Sequence, residues 1–209
     1  MSDASLPSPA QRMWDDRYRT DNYVYGTEPN EFLRLNVEVI PEGDVLCLAE
    51  GEGRNATFLA KTGRHVTGVE LSEVAVAKAR KMAKLNNVEV DLFVDDLRYF
   101  DLGHERWDGV ISIFAHMPPS IRAELHGKVV DSLRPGGVFI LEAYTPAQVG
   151  RGTGGPERVE MTMSLDSLRQ ELAPLDLLVA QEIDRIVIEG SAHHGVGAVV
   201  QVVARKRPF

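Results

Sequence analysis

The sequence predicts a doubly wound α/β fold: a mainly parallel sheet of seven strands with helices on both faces and an antiparallel hairpin at its C-terminal end. Three observations lead there. From residue 45 short apolar runs alternate with longer amphipathic ones, a glycine-rich turn follows the first run, and the last two apolar runs are separated only by residues 189–195. The alternation is that of a parallel sheet covered by crossover helices. The final interval is too short for a helical crossover, so its two strands should be antiparallel neighbours.

Each element follows from local chemistry. Residues 45–48, Val-Leu-Cys-Leu, read as a buried strand ending in glycines. Asn55 caps a helix over 56–62, and Gly63 ends it in a left-handed turn. Residues 65–69 form the second strand, after which Ser72 caps a long helix with Val74, Ala77 and Met82 on its apolar stripe. The third and fourth strands fall at 88–94 and 108–114. Pro119 then opens a helix that turns Ile121, Leu125, Val129 and Leu133 to the sheet, and Arg134-Pro135-Gly136-Gly137 stops it. A fifth strand at 138–143, a helix at 165–172 and hairpin strands at 177–188 and 196–204 complete the chain.

With 209 residues, 44% hydrophobic and 26% charged, the chain suits one domain. That domain is read over 11–209, behind a Ser/Pro-rich leader at 1–10 expected to be disordered. A net charge of −8 repels polyphosphate and anionic bilayers, and the only cationic cluster is Arg205-Lys206-Arg207. Nucleic acid and membrane are therefore not expected partners; a small-molecule substrate is, with the chain a monomer or homodimer. No stretch has the length of a membrane span or the pattern of a secretory signal. A single cysteine, Cys47, excludes an internal disulfide and suits a reducing compartment, so a cytoplasmic location is expected.

The strongest motif is Gly51-Glu52-Gly53-Arg54-Asn55-Ala56 between a strand and a helix, with Glu70 nineteen positions after Gly51 at the end of the next strand. Glycines let the backbone approach a ligand, and a carboxylate there accepts from both ribose hydroxyls. The spacing also fits a dinucleotide, which leaves an NAD(P)-dependent oxidoreductase as an alternative. Glu50 and Glu52 weigh against it, because a pyrophosphate wants donors and no nearby anions, whereas an amine and a sulfonium attract carboxylates. Further along, Asp95-Asp96-Leu97 ends the third strand and Phe114-Ala115-His116 the fourth. Asp96 is placed to accept from an adenine amino group while Leu97 covers the ring.

In this order the motifs from Val45 to Ala143 resemble a class I S-adenosylmethionine-dependent methyltransferase, a Rossmann-like fold. The resemblance implies that Gly51 and Gly53, with Asn55 and Leu71 beside them, help hold the cofactor, that Glu70 holds the ribose, and that Asp96, Leu97 and Phe114 line the adenine side. It also matches Pro135-Gly136-Gly137 to the family's turn before the fifth strand. Cys47 stands where the family has an acid and Ala49 where it has its first loop glycine. Glu50 then takes over contact with the methionyl amine. The segment Trp14-Asp15-Asp16-Arg17-Tyr18 and Tyr23-Val24-Tyr25-Gly26-Thr27-Glu28-Pro29-Asn30 is similar to small bacterial tellurite-resistance and thiopurine methyltransferases. That likeness implies that residues 11–43 fold over the cofactor and bring Tyr18, Tyr25 and Gly26 near the sulfonium.

The activity implied is methyl transfer to a small acceptor such as a thiol or chalcogen oxyanion, with S-adenosylhomocysteine as product. A non-catalytic S-adenosylmethionine-binding protein is the other alternative. A soft anion needs no general base, whereas a neutral acceptor benefits from one. His116, at the end of the fourth strand, and His193 in the final hairpin are the candidates, with His194 a neighbour. No metal-ligand spacing is present. The glycine-rich loop over 145–156 reads equally as a lid or as a plain connection.

Overall fold

Along the fifth strand Val138 and Ile140 face one side of the sheet while Phe139 and Leu141 face the other. Apolar residues on both faces are what a central strand covered on both sides of the sheet requires. The computed structural model, which describes residues 6–208, shows seven strands. They are β1 (Asp44–Leu48), β2 (His65–Glu70), β3 (Asp91–Val94), β4 (Trp107–Ile113), β5 (Leu133–Tyr144), β6 (Leu175–Glu189) and β7 (His193–Lys206). Their order is β3-β2-β1-β4-β5-β7-β6, with β7 antiparallel to both neighbours and the other pairs parallel.

Among the described residues six α-helices accompany them: α1 (Pro9–Tyr18), α2 (Glu31–Leu35), α3 (Arg54–Lys61), α4 (Glu73–Leu85), α5 (Pro119–Ser132) and α6 (Leu165–Glu171). Leu46, Phe139 and Leu141 pack with Leu125 and Val129 of α5 and Leu168 of α6. On the opposite face Val45, Ile111 and Ile140 pack with Leu33 of α2 and Leu59 of α3. Each such side chain, fully buried, contributes roughly 1.5–3 kcal/mol. The sheet is therefore a stiff platform for the loops at its carboxyl edge.

Local competition moved several boundaries. Residues 1–5 of the expected leader lie outside the described residues, but Pro9 and Ala10 are helical because Ser8 accepts from the Gln11 amide and proline suits the first turn. Gly53, not Asn55, caps α3. Asn55 sits inside the helix and its Oδ1 instead accepts from the Asn30 amide at 2.9 Å. The buried face of α4 is Ala75, Val76, Ala79, Met82 and Ala83, while Ala77 faces solvent. Close packing of the Gly53 loop on Ala79, where an added Cβ would stand at 2.7 Å, accompanies that rotation. β3 begins late because Asn87 turns left-handed and the Val88 amide closes α4 on the Ala83 carbonyl.

Strands run outward from β1 to β2 and β3 on one side, and from β4 to β5 on the other. The switch point between β1 and β4 opens a crevice at their carboxyl ends, the place where such sheets bind ligands. The chain leaves β1 there through Ala49, at a φ of 48° that side chains disfavour. Ala49→Gly should therefore raise stability by about 0.5–1 kcal/mol, glycine's greater unfolded-state entropy offsetting part of the relieved strain. A thermal midpoint lower than that of the parent would show that the alanine is unstrained.

Candidate active site

Ala49, Gly51 and Gly53 all take positive φ, folding the loop from β1 to α3 tightly enough to point its backbone into the crevice. A cavity of about 790 Å³ opens above it. Glu70, at the end of β2, is buried on its floor. One oxygen accepts from the Gly51 amide at 3.0 Å and the other from the Ser72 amide at 2.9 Å. Two amides leave a carboxylate about half its acceptor capacity, so Glu70 can take ligand hydroxyls as well. Burial raises its pKa, against the backbone donors.

Glu50 is buried beside it, with Oε1 accepting from the Ala56 amide at 2.8 Å. Burial pushes its pKa up to about 7, although the Ala56 amide, the Arg54 charge and the Cys47 thiol favour the anion. Cys47 is itself buried in β1, where burial first and Glu50 second push its thiol well up. It is thus a neutral neighbour of the acid rather than a nucleophile.

The N-terminal segment lies across this loop. Glu52, which the sequence reading used only as a charge, is its anchor: Oε2 accepts from the Val24 amide at 2.7 Å and Oε1 pairs with Lys78 Nζ at 2.5 Å. The same lysine donates to the carbonyls of Tyr18, Thr20 and Asn22. Tyr18 stacks on Trp14 and meets Tyr25 edge-on, and all three line the cavity. Gly26 packs on the β6–β7 turn, where a Cβ would stand 3.2 Å from the Gly190 amide nitrogen. Gly26 also lines the cavity beside Tyr18 and Tyr25.

At the other wall Leu71, Asp96, Leu97 and Phe114 reach the cavity. Asp96 is gripped by Arg98, whose Nε lies 3.0 and 2.9 Å from its two oxygens, and this hydrogen bonding holds its pKa low against partial burial. Phe114 sits at a φ of 52°, costly for a bulky residue and typical of functional sites. Its ring stacks on Tyr144 at 4.7 Å and meets His193 edge-on at 4.7 Å. The two candidate histidines differ. His116 Nδ1 contacts the Met161 carbonyl at 2.9 Å and the Tyr144 amide approaches Nε2 at 3.5 Å, so its ring holds the 159–161 turn to β5. Burial lowers its pKa to about 4. Both histidines line the cavity, but His193 leaves Nδ1 buried and unpartnered among the described residues.

Behind this wall lies a buried ionic network that sequence reading missed. Arg185 Nε donates to Glu142 Oε1 at 2.7 Å, and its NH2 donates to Glu142 at 2.5 Å and Glu189 at 2.9 Å. Arg54 pairs with the other Glu189 oxygen. Asn30 Nδ2 bridges both carboxylates and Gln201 donates to Glu142. The 145–156 loop is docked on β7: Gln148 Nε2 donates to Thr153 Oγ1 and the Gly154 carbonyl, and its Oε1 accepts from the Ala198 amide.

The described residues include no cluster of metal-ligating side chains and no helix long and apolar enough to cross a membrane. Residues 45–137 match the family described as a methyltransferase domain. A tRNA (uracil(54)-C(5))-methyltransferase of Pyrococcus furiosus is 34% identical over 128 residues, 56% of this chain and 29% of that protein. The chain thus covers less than a third of that relative's length. Among solved structures, NodS, an N-methyltransferase from Bradyrhizobium japonicum in complex with S-adenosyl-L-homocysteine, superposes with a TM-score of 0.72. It is 13% identical, over 95% of this chain and 99% of NodS. TehB from Haemophilus influenzae superposes with a TM-score of 0.71 at 16% identity, over 94% of this chain and 67% of TehB.

Proposed function

We propose that this chain, whose residues 45–137 form a class I S-adenosylmethionine-dependent methyltransferase domain, methylates a small molecule in the crevice between β1 and β4. The observation that carries the reading is Glu70, a buried acid with spare acceptor capacity beside Glu50, a buried carboxyl that forms no ion pair among the described residues and so suits a cation, whereas Glu52 is already neutralised by Lys78. The donor set fits an amine and a sulfonium and disfavours a pyrophosphate.

S-adenosylmethionine supplies a methyl carbon already activated by positive sulfur, so alignment and exclusion of water supply most of the rate. Glu70 holds the ribose hydroxyls and Glu50 the methionyl amine, while Gly51 and Gly53 keep the loop clear of side chains. Trp14, Tyr18 and Tyr25 cover the opening, their faces favouring a cation. Leu71, Leu97 and Phe114 wall the adenosyl side, and Asn55 moors the covering segment through Asn30.

The acceptor is a small molecule rather than RNA, because the net charge of −8 opposes phosphate contacts and the cavity is walled by the N-terminal segment and the 154–156 loop. The RNA-directed relatives match over only part of their length.

The first test is a thermal-shift comparison with S-adenosylmethionine, S-adenosylhomocysteine, NAD and NADP. Stabilisation by the two adenosyl ligands alone is expected, about 2.7 kcal/mol at a hundred times Kd. Glu70→Ala should weaken both by about 1–3 kcal/mol, roughly 5- to 150-fold in Kd, through lost charge-assisted hydrogen bonds. Dinucleotide stabilisation, or unchanged calorimetric affinity in Glu70→Ala, would sink this assignment.

A further inference from the structure

Helix α1 carries Trp14, Arg17 and Tyr18 on the wall of the cavity, whereas Asp15, half-buried, turns to the start of α4. Its Oδ1 accepts from the Ser72 hydroxyl at 2.6 Å and from the Val74 amide at 3.3 Å. Ser72 is fully buried and caps α4, its Oγ accepting from the Ala75 amide at 3.1 Å. The hydroxyl has one proton to give, and Asp15 takes it. A carboxylate in that position also meets the positive end of the α4 dipole.

Through two of its residues α1 lies over both backbone donors of Glu70. The Ser72 amide, in the short turn between β2 and α4, donates to Glu70 Oε1, and Asp15 grips that same residue. The Gly51 amide donates to Glu70 Oε2, and Tyr18 Oη rests on Gly51, 3.1 Å from where an added Cβ would stand. Asp15 and Tyr18 are three positions apart on the helix and so are neighbours on its surface. Burial, and after it the Asp15 charge, raise the Glu70 pKa against its backbone donors. Burial and then the Glu70 charge push the Tyr18 hydroxyl well up. Glu70 is therefore in close electrostatic contact with α1.

A carboxylate recognises paired hydroxyls only when its spare lone pairs are aimed at them, and here the aim is set by two amides. We infer that Asp15 is a positioning residue for cofactor capture: with α1 laid on α4 it grips Ser72 and so fixes the aim of Glu70 at the ribose hydroxyls. This rests on the methyltransferase reading, in which Glu70 holds the ribose. Ribose recognition is then complete only with the covering segment in place, and Asp15 acts through Ser72 rather than from the cavity wall.

The test is calorimetric titration with S-adenosylhomocysteine and with its 2′-deoxyribosyl analogue. Asp15→Ala should weaken S-adenosylhomocysteine about five- to tenfold and the deoxy analogue less, so that discrimination between the two narrows. Asp15→Asn, whose amide oxygen still accepts from Ser72, should bind close to the parent. In a Glu70→Ala background, Asp15→Ala should cost nothing further. Ser72→Ala deletes the hydroxyl and keeps the amide; it should reproduce the Asp15→Ala pattern, and it carries the test if Asp15→Ala does not fold. Equal losses for the two ligands, the same loss with and without Glu70, or an Asp15→Asn no better than Asp15→Ala would leave Asp15 a mere fastening of α1 and overturn the proposal. Unchanged affinity in both Asp15→Ala and Ser72→Ala would do the same. Failure of the parent protein to bind S-adenosylhomocysteine at all would instead remove the methyltransferase reading beneath it.

Discussion

Arg185→Ala should lower the free energy of unfolding by about 3–5 kcal/mol, because it leaves Glu142 and Glu189 as buried charges short of a partner. Glu142 is fully buried, and the described structure offers it Asn30 and Gln201 but no second cation. Burial opposes the charge on Glu189, yet Arg54 and Arg185 outweigh it and hold its pKa below the usual carboxylate value. A lowered folded-state pKa gives stability that is present above the unfolded value and lost as pH falls through the folded one. The penalty of Arg185→Ala should therefore shrink in acid, below about pH 4. Urea midpoints at pH 7 and at about pH 2.5 measure both parts. In a double-mutant cycle, Arg185→Ala with Glu142→Gln should cost clearly less than the sum of the single changes. Additive losses would mean that the two charges do not interact.

That network was invisible in the sequence, for a physical reason. Asn30 meets Glu142 across 112 positions and Glu189 across 159, and each residue taken alone has the appearance of a surface polar group. By contrast β1, β4 and β5 were legible because burial on both faces demands continuous apolar runs. The Gly51–Gly53 turn was legible because backbone at positive φ demands glycine. Where a position has two possible uses, sequence reading chose the local one. Asn55 looked like a helix cap and proved to be a tether for Asn30, and Val88 looked like strand and instead closes α4. The same limit applies to the histidines. His116 and His193 are alike in sequence, and only packing shows one ring engaged by Met161 and Tyr144 and the other left with an unpartnered nitrogen.

Cofactor binding should release a proton from Glu50, making affinity fall on the order of tenfold per unit as pH drops below about 7. In the free protein burial raises Glu50 from 4.5 to about 7, with Glu70 adding to the rise and the Ala56 amide, Arg54 and Cys47 opposing it. A raised carboxylate pKa gives folding stability that is fully present below the unfolded value of 4.5 and is lost as pH climbs through the folded value. At about 1.4 kcal/mol per pKa unit, a shift of this size is worth roughly 3 kcal/mol. Fold stability and ligand affinity should thus move in opposite directions between pH 4.5 and 7, because a methionyl ammonium beside Glu50 favours the anion that burial penalises. A purely structural acid would change only the first. Calorimetry of S-adenosylhomocysteine in buffers of differing ionisation enthalpy would count the proton, and Glu50→Gln should abolish its release and flatten the pH profile. An affinity independent of pH in the parent, or an unaltered slope in Glu50→Gln, would show that the amine lies elsewhere. Cys47 would then be an acid lost without replacement.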